Sequence, residues 1–260
     1  MRILLTNDDG IGAEGFAALQ RIAAELSSDV WICAPEHEQS GASRGVTITN
    51  PLRVRKAGER AWAVAGTPTD CVLLAINDLM ASPPDLVLSG VNRGSNLGED
   101  VTYSGTVAGA LQGMALGVPS IALSQSIANA PEGPLFEVAE AFAPALVARL
   151  LETGWPSGVV MNVNFPFGPA SAVEAVEVTS QGFRDAHRVH ADKRTDLRGR
   201  DYYWMGFAGG RSDPPAGTDL RAVYEGRISV TPLHIDLTHH ATVHVLKGVL
   251  GGAPPRRRGT

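Results

Sequence analysis

The chain has 260 residues, 44% of them hydrophobic and 19% charged, with a formal net charge of −5. That size and composition suit one large soluble globular domain, or a core domain with an extension. The acidic balance argues against a general nucleic-acid or duplex binder, which presents a basic surface.

The chain opens with an apolar run, Ile3-Leu4-Leu5, stopped by Thr6-Asn7-Asp8-Asp9-Gly10. A continuous apolar run suits a strand over 2–6 buried on both faces, as in a parallel sheet. Glu14–Leu26 follows with Phe16, Leu19, Ile22, Ala23 and Leu26 at helical spacing. Asp29–Ala34 is a second buried strand, and a polar Gly/Ser-bearing loop, EHEQSGASRG, comes after it. At about ten residues that loop exceeds a typical connection. Short β-prone pieces are expected at Val46–Thr49, Leu52–Arg55 and Ala61–Val64. Thr67-Pro68-Thr69-Asp70 starts a helix that continues through CVLLAINDLM.

Asp85–Ser89 is the next strand, and a second long polar loop, GVNRGSNLGED, leads to a small-residue helix from about Thr106 to Leu116. Strand Ser120–Leu123, amphipathic helix Phe136–Leu151 and strand Val159–Asn164 complete the alternation. This order predicts an α/β fold with a doubly wound, mostly parallel sheet over residues 1–178.

The pattern changes after Glu174. Residues 180–215 are polar and Arg/Asp-rich around Tyr202-Tyr203-Trp204, which predicts an extended C-terminal β-hairpin or arm whose aromatics need a partner surface. A short helix at Thr218–Glu225 and a returning strand at Arg227–Thr231 close the 179–235 segment. Residues 236–260 read as a C-terminal helix and a disordered tail, GGAPPRRRGT.

Four polar segments fall at or just beyond strand carboxyl ends, where open α/β sheets place their ligand crevice. Asp8 and Asp9 repel each other unless a cation or a shared proton holds them, although the same residues also suit an Asx turn capping the next helix. Ser40 adds a hydroxyl oxygen and Asn92 an amide oxygen. Oxygen-only donors suit Mg²⁺, Mn²⁺ or Ca²⁺ rather than zinc. Ser104-Gly105-Thr106 precedes an Ala/Gly-rich helix, so its backbone N–H groups and helix dipole make an anion site.

Rival fingerprints are missing. There is no GxGxxG after the first strand, no GxxxxGK[ST], and no GxSxG elbow around Ser40 or Ser104. His234, His239, His240 and His244 lack a Cys or Glu at metal spacing and read as a surface or interface helix. His37 reads as a solvated loop position. Cys33 and Cys71 sit in apolar surroundings, too few for a disulfide framework, and are expected to be buried free thiols. The N-terminus opens straight into a core strand without a leader pattern, and no apolar stretch reaches about 18 residues. A cytoplasmic setting without a membrane span is therefore expected.

MRILLTNDDGIGAEG, PEHEQSGAS, GTPTDCV, LVLSGVNRGSNLGEDVTYSGTVAGA and GRISVTPLHIDLT together resemble the SurE (survival protein) nucleotidase family, in order and over nearly the whole chain. The resemblance implies a metal-dependent phosphatase of nucleoside 5′- and 3′-monophosphates, with some members acting on short polyphosphate. It implies one divalent cation per subunit on Asp8, Asp9, Ser40 and Asn92, with Asp8 and Asp9 catalytic. Asn96, Ser104, Gly105 and Thr106 would line the phosphate pocket, with Gly41 and Ser43 beside it. It further implies a Rossmann-like three-layer αβα core over residues 1–178 and a C-terminal arm, within 179–235, used for oligomerisation as a homodimer or homotetramer. Other phosphomonoesters, or nucleotide sensing without turnover, are the alternative readings. Arg44 follows the SGAS run where smaller or polar residues are common in the family, which bears on base or ribose contacts.

Overall fold

The computed structural model describes residues 1–127, 135–184, 189–207 and 212–251. β1 (Arg2–Thr6) is an interior strand, fourth in the order of a nine-stranded sheet. Alternate β1 residues face opposite layers, as the strand period requires. Ile3 and Leu5 pack with Phe16, Leu19 and Ile22 of α1 (Glu14–Leu26), while Leu4 packs with Cys33, Cys71 and Val72 on the other face. Parallel to β1 runs β2 (Asp29–Pro35). Beyond it β4 (Ala61–Val64) is parallel to β2, and β3 (Val54–Gly58) closes that edge antiparallel to β4.

The chain then reverses across the sheet. α2 (Pro68–Leu74) starts with a reciprocal capping box between Thr67 and Asp70 and ends in one π-helical turn, Ala75–Leu79. β5 (Leu86–Arg93) pairs with β1 on the side opposite β2. This is the topological switch point, because the connections after β1 run in opposite directions along the sheet. α3 (Gly105–Ala115), β6 (Ser120–Gln125), α4 (Glu137–Thr153) and β7 (Val160–Phe165) extend the parallel sheet. α1 and α4 cover one face, and α2 and α3 the other.

Two strands finish the sheet. β11 (Ile228–Leu233) is antiparallel to β7, and β8 (Val176–Val178) is parallel to β11. Between them in sequence, β9 (Val189–Thr195) and β10 (Asp201–Phe207) form a separate antiparallel hairpin, the expected arm. α5 (Asp219–Tyr224) starts on the Thr218 side chain, and α6 (His240–Leu250) ends the described chain without one buried residue.

Several expected boundaries are corrected. Val46–Thr49 forms no strand: the Thr47 N–H and hydroxyl donate to the Asp70 carboxylate at 2.9 and 2.7 Å, so a side chain replaces a ladder partner. The Leu52–Arg55 piece forms later, as β3. β5 runs on to Arg93 because Asn92 and Arg93 resume pairing with Ser124 and Gln125 of β6 after a register shift. Cys33 and Cys71 are buried and free, as expected. The expectation of a disordered tail concerns 252–260, outside the described residues. Among the described residues no helix is long and apolar enough to cross a membrane.

Candidate active site

The carboxyl ends of β1 and β5 open onto a cavity of about 560 Å³. Asp8, Ser40, Gly41, Asn92, Asn96 and Ser104 line it, so three loops distant in sequence converge there. Asp8 is 4% exposed. Burial pushes its carboxyl up to about 6; the Thr106 hydroxyl opposes that rise and neighbouring Asp9 adds to it. The Thr106 hydroxyl donates to Asp8 Oδ1. Gly105 comes so close to Asp8 that no side chain fits between them. Gly105 and Thr106 thus contact Asp8 and are not part of the cavity wall.

Asp9 is also raised, by burial first and by the Glu38 carboxylate, while the Arg93 N–H donates to its Oδ2 at 3.1 Å and lowers it. Ser40 follows Gln39, whose N–H donates to Asp8 O at 2.7 Å, and the Ser40 hydroxyl donates to Glu38 at 2.8 Å. Asn92 Nδ2 donates to Gly94 O at 2.7 Å, which fixes the amide so that its oxygen is the acceptor. The buried Asn7 Oδ1 has no hydrogen-bond partner among the described residues.

Asp8, Ser40 and Asn92 bring a raised carboxylate, a hydroxyl and an amide oxygen to the cavity, with the raised carboxylate of Asp9 next to Asp8 in the chain. Such a set fits a hard divalent cation. No group of three or more His, Cys, Asp or Glu able to hold a metal ion occurs among the described residues. The C-terminal histidines agree with their expected surface role: α6 is exposed, and His240 contacts Asp236 at 3.1 Å.

Asn96 is anchored by its backbone. Asn164 at the end of β7 accepts its N–H at 2.8 Å, Asn162 and Asn164 donate to its carbonyl, and its own Nδ2 donates to Ser124 at 2.8 Å. Ser104 caps α3 by accepting the Val107 N–H at 3.0 Å. Ser43 is elsewhere: its hydroxyl donates to Thr102 O at 2.7 Å, and it lines a second, smaller cavity with Arg44, which donates to Gln112 at 3.1 Å. His37 is exposed and outside both cavities.

Sequence reasoning missed Asp100, Tyr103, Arg184 and Tyr224, which complete the wall of the main cavity. Arg184 is 5% exposed. Burial works against its charge, but Asp100 at 2.6 Å and Glu99 at 3.5 Å outweigh it and hold the guanidinium above its ordinary value. Asp100 and Tyr103 lay within a recognised block and could have been read as pocket residues. Arg184 and Tyr224 come from the C-terminal third, where no local pattern marks them.

The fold and cleft define a Rossmann-like α/β protein with an acidic, oxygen-lined site at its topological switch point. The family model described as Survival protein SurE matches residues 3–188. Relatives similar over the full length include the 5′-nucleotidase SurE of Caulobacter vibrioides, 68% identical over 100% of both chains. That of Phenylobacterium zucineum is 65% identical over 98% of this chain and 100% of its own. The crystal structure of SurE protein from Aquifex aeolicus superposes with a TM-score of 0.81 at 39% identity, covering 96% and 99% of the two chains. The chain belongs to the SurE family.

Proposed function

We infer that this chain is a 5′-nucleotidase, a phosphoric monoester hydrolase that releases phosphate from nucleoside 5′-monophosphates and also acts on 3′-monophosphates. The observation that carries this reading is the buried Asp8 at the switch point, lining a cavity far larger than a phosphate group, with half-buried Asp9 next to it. The names of the full-length relatives support the substrate class.

Asp8, Asp9, Ser40 and Asn92 would hold one divalent cation, Mg²⁺ or Mn²⁺, with Ca²⁺ also compatible. When bound, the cation supplies Lewis acidity toward a phosphoryl oxygen and a lowered pKa for water. Asn96 and Ser104, with the backbone around Gly41, offer hydrogen bonds to the phosphate oxygens and orient the ester for attack. Gly105 and Thr106 serve that pocket through Asp8, one by leaving it room and the other by a hydrogen bond. One carboxylate oxygen of Asp8 or Asp9 that is not committed to the cation would accept the attacking water's proton.

Residues 1–178 serve as the catalytic core, 179–235 as the assembly segment, and 236–260 as the C-terminal helix and tail. Homodimer or homotetramer assembly is supported by the exposed Tyr203, Trp204 and Met205 of β10 and Val249 and Leu250 of α6. A cytoplasmic location goes with this reading.

The test is phosphate release from AMP, GMP, a sugar phosphate and tripolyphosphate, after chelation and re-addition of single metals. Nucleotide turnover restored by Mg²⁺ or Mn²⁺ is expected. Saturable nucleotide binding with no phosphate release would instead make the protein a sensor, and preference for the sugar phosphate would move the substrate class.

A further inference from the structure

The loop from Leu97 to Tyr103 joins Asn96 to Ser104, the two side chains assigned above to the phosphate. Four consecutive residues of that loop are gripped by the C-terminal third of the chain. Arg184 Nη1 donates to Leu97 O at 2.9 Å, Asp219 accepts the Gly98 N–H at 2.8 Å, and Gln181 donates to Gly98 O at 3.0 Å. The Arg184 backbone N–H donates to Glu99 at 3.1 Å, and Arg184 Nη2 donates to Asp100 at 2.6 Å. Asp219 also accepts the Gly182 N–H at 2.8 Å, so 182–184 and the loop hang on one buried carboxylate.

Arg184 is the central member of this grip. Its side chain is 3% exposed and one fork reaches both a carbonyl and a carboxylate of the loop, a geometry a lysine ammonium cannot copy. It also offsets Glu99 and Asp100, carboxylates that would otherwise repel an anionic substrate in the cavity Asp100 lines.

We propose that Arg184 is the positioning residue of the phosphate subsite: acting through Leu97 and Asp100, it holds Asn96 and Ser104 at the spacing the phosphate requires. The proposal rests on the nucleotidase reading. None of the hydrogen bonds of Arg184 goes to a cation ligand: Asp8 is bonded by Thr106, Asp9 by Arg93, Ser40 to Glu38 and Asn92 to Gly94. Loss of Arg184 therefore weakens phosphate binding and leaves cation binding intact.

The experiment compares full-length wild type, Arg184→Ala and Arg184→Lys for AMP kinetics, competitive inhibition by orthophosphate and activation by Mn²⁺. In Arg184→Ala the KM for AMP and the inhibition constant of orthophosphate should both rise about tenfold or more, the signature of lost binding shared by ground and transition states. At saturating AMP the Mn²⁺ concentration for half-activation should stay within about twofold, since Arg184 and the cation ligands share no hydrogen-bond partner. Guanidinium ion, well below denaturing concentrations, should lower the raised KM.

Unchanged KM and inhibition constant would overturn the proposal. So would a parallel decline of Mn²⁺ activation, kcat and melting temperature, which marks plain structural damage. Should Arg184→Ala fail to fold, Arg184→Lys decides: it keeps the charge without the fork, so a KM raised several-fold is expected and a wild-type KM refutes positioning by the fork. A wild type that hydrolyses no nucleotide refutes the nucleotidase reading alone, and orthophosphate binding to wild type and Arg184→Lys by calorimetry still tests Arg184.

Discussion

A Cβ placed on Gly105 would lie 2.7 Å from the Cβ of Asp8 and 2.9 Å from its Oδ2. The first residue of α3 thus presses against the carboxylate two residues beyond β1, and the missing side chain is what lets the helix N-terminus and the acid meet. The contact joins two loops almost a hundred residues apart in sequence, and it holds Asp8 where Thr106 can donate to it.

Gly105→Ala should therefore damage activity more than stability. The alanine methyl must displace a buried aspartate, an overpacking cost of about 1–3 kcal/mol. Phosphate release should fall at least about tenfold, because a ligand moved by a fraction of an ångström loses its geometry. Steady-state kinetics with a urea melt checks both, and near-normal activity would show that the close approach is not needed.

Asp8 makes the metal-free protein's stability depend on pH in a definite direction. Its ordinary value is 3.8 and burial lifts it to about 6 in the fold. The folded state then holds the proton more tightly than the unfolded one, so this group's contribution is complete below pH 3.8, falls as pH rises, and is lost above about pH 6. The difference amounts to about 3 kcal/mol. Asp8→Asn, measured in chelator against wild type, should gain stability at about pH 7.5 and lose that gain by about pH 4, while losing metal-dependent turnover. A wild-type-to-variant difference that does not change with pH contradicts the assignment.

Asn164 should matter although it does not line the cavity. Its amide accepts the Asn96 N–H and donates to the Asn96 carbonyl at 3.1 Å, all within the core. Asn164→Ala leaves a buried N–H without its partner, a cost of about 1–3 kcal/mol. Loss of this support should also cut turnover by about 10–100-fold, as for other groups that orient a reacting shell. Thermal unfolding and kcat/KM for AMP check the pair of effects; a loss of stability with full activity would leave Asn96 without a substrate role.

Local elements were legible where local physics decides them. Glu14–Leu26 has an apolar face at helical spacing and forms with those bounds, and Ala61–Val64 does the same as a strand. Val46–Thr49 carries β-prone residues but finds its hydrogen bonds on Asp70, which no propensity can foresee. The site divides the same way. Asp8, Ser40, Asn92, Asn96 and Ser104 follow from polar runs at strand ends, whereas Ser43 lies beside the same motif yet turns to the second cavity.

The sequence by itself determined the alternating α/β core, the acidic stop after the first strand and the oxygen character of the donors, because each is set by residues close together in the chain. Only the tertiary structure decided which groups share one cavity. Arg184 and Asp219 reach the Leu97–Asp100 loop from the far end of the chain through hydrogen bonds that depend on β11 joining β7 and on α5 docking beside it. Contacts of that range leave no periodicity in the residues that make them, and the depth of burial that lifts Asp8 exists only once both helical layers have closed over the sheet.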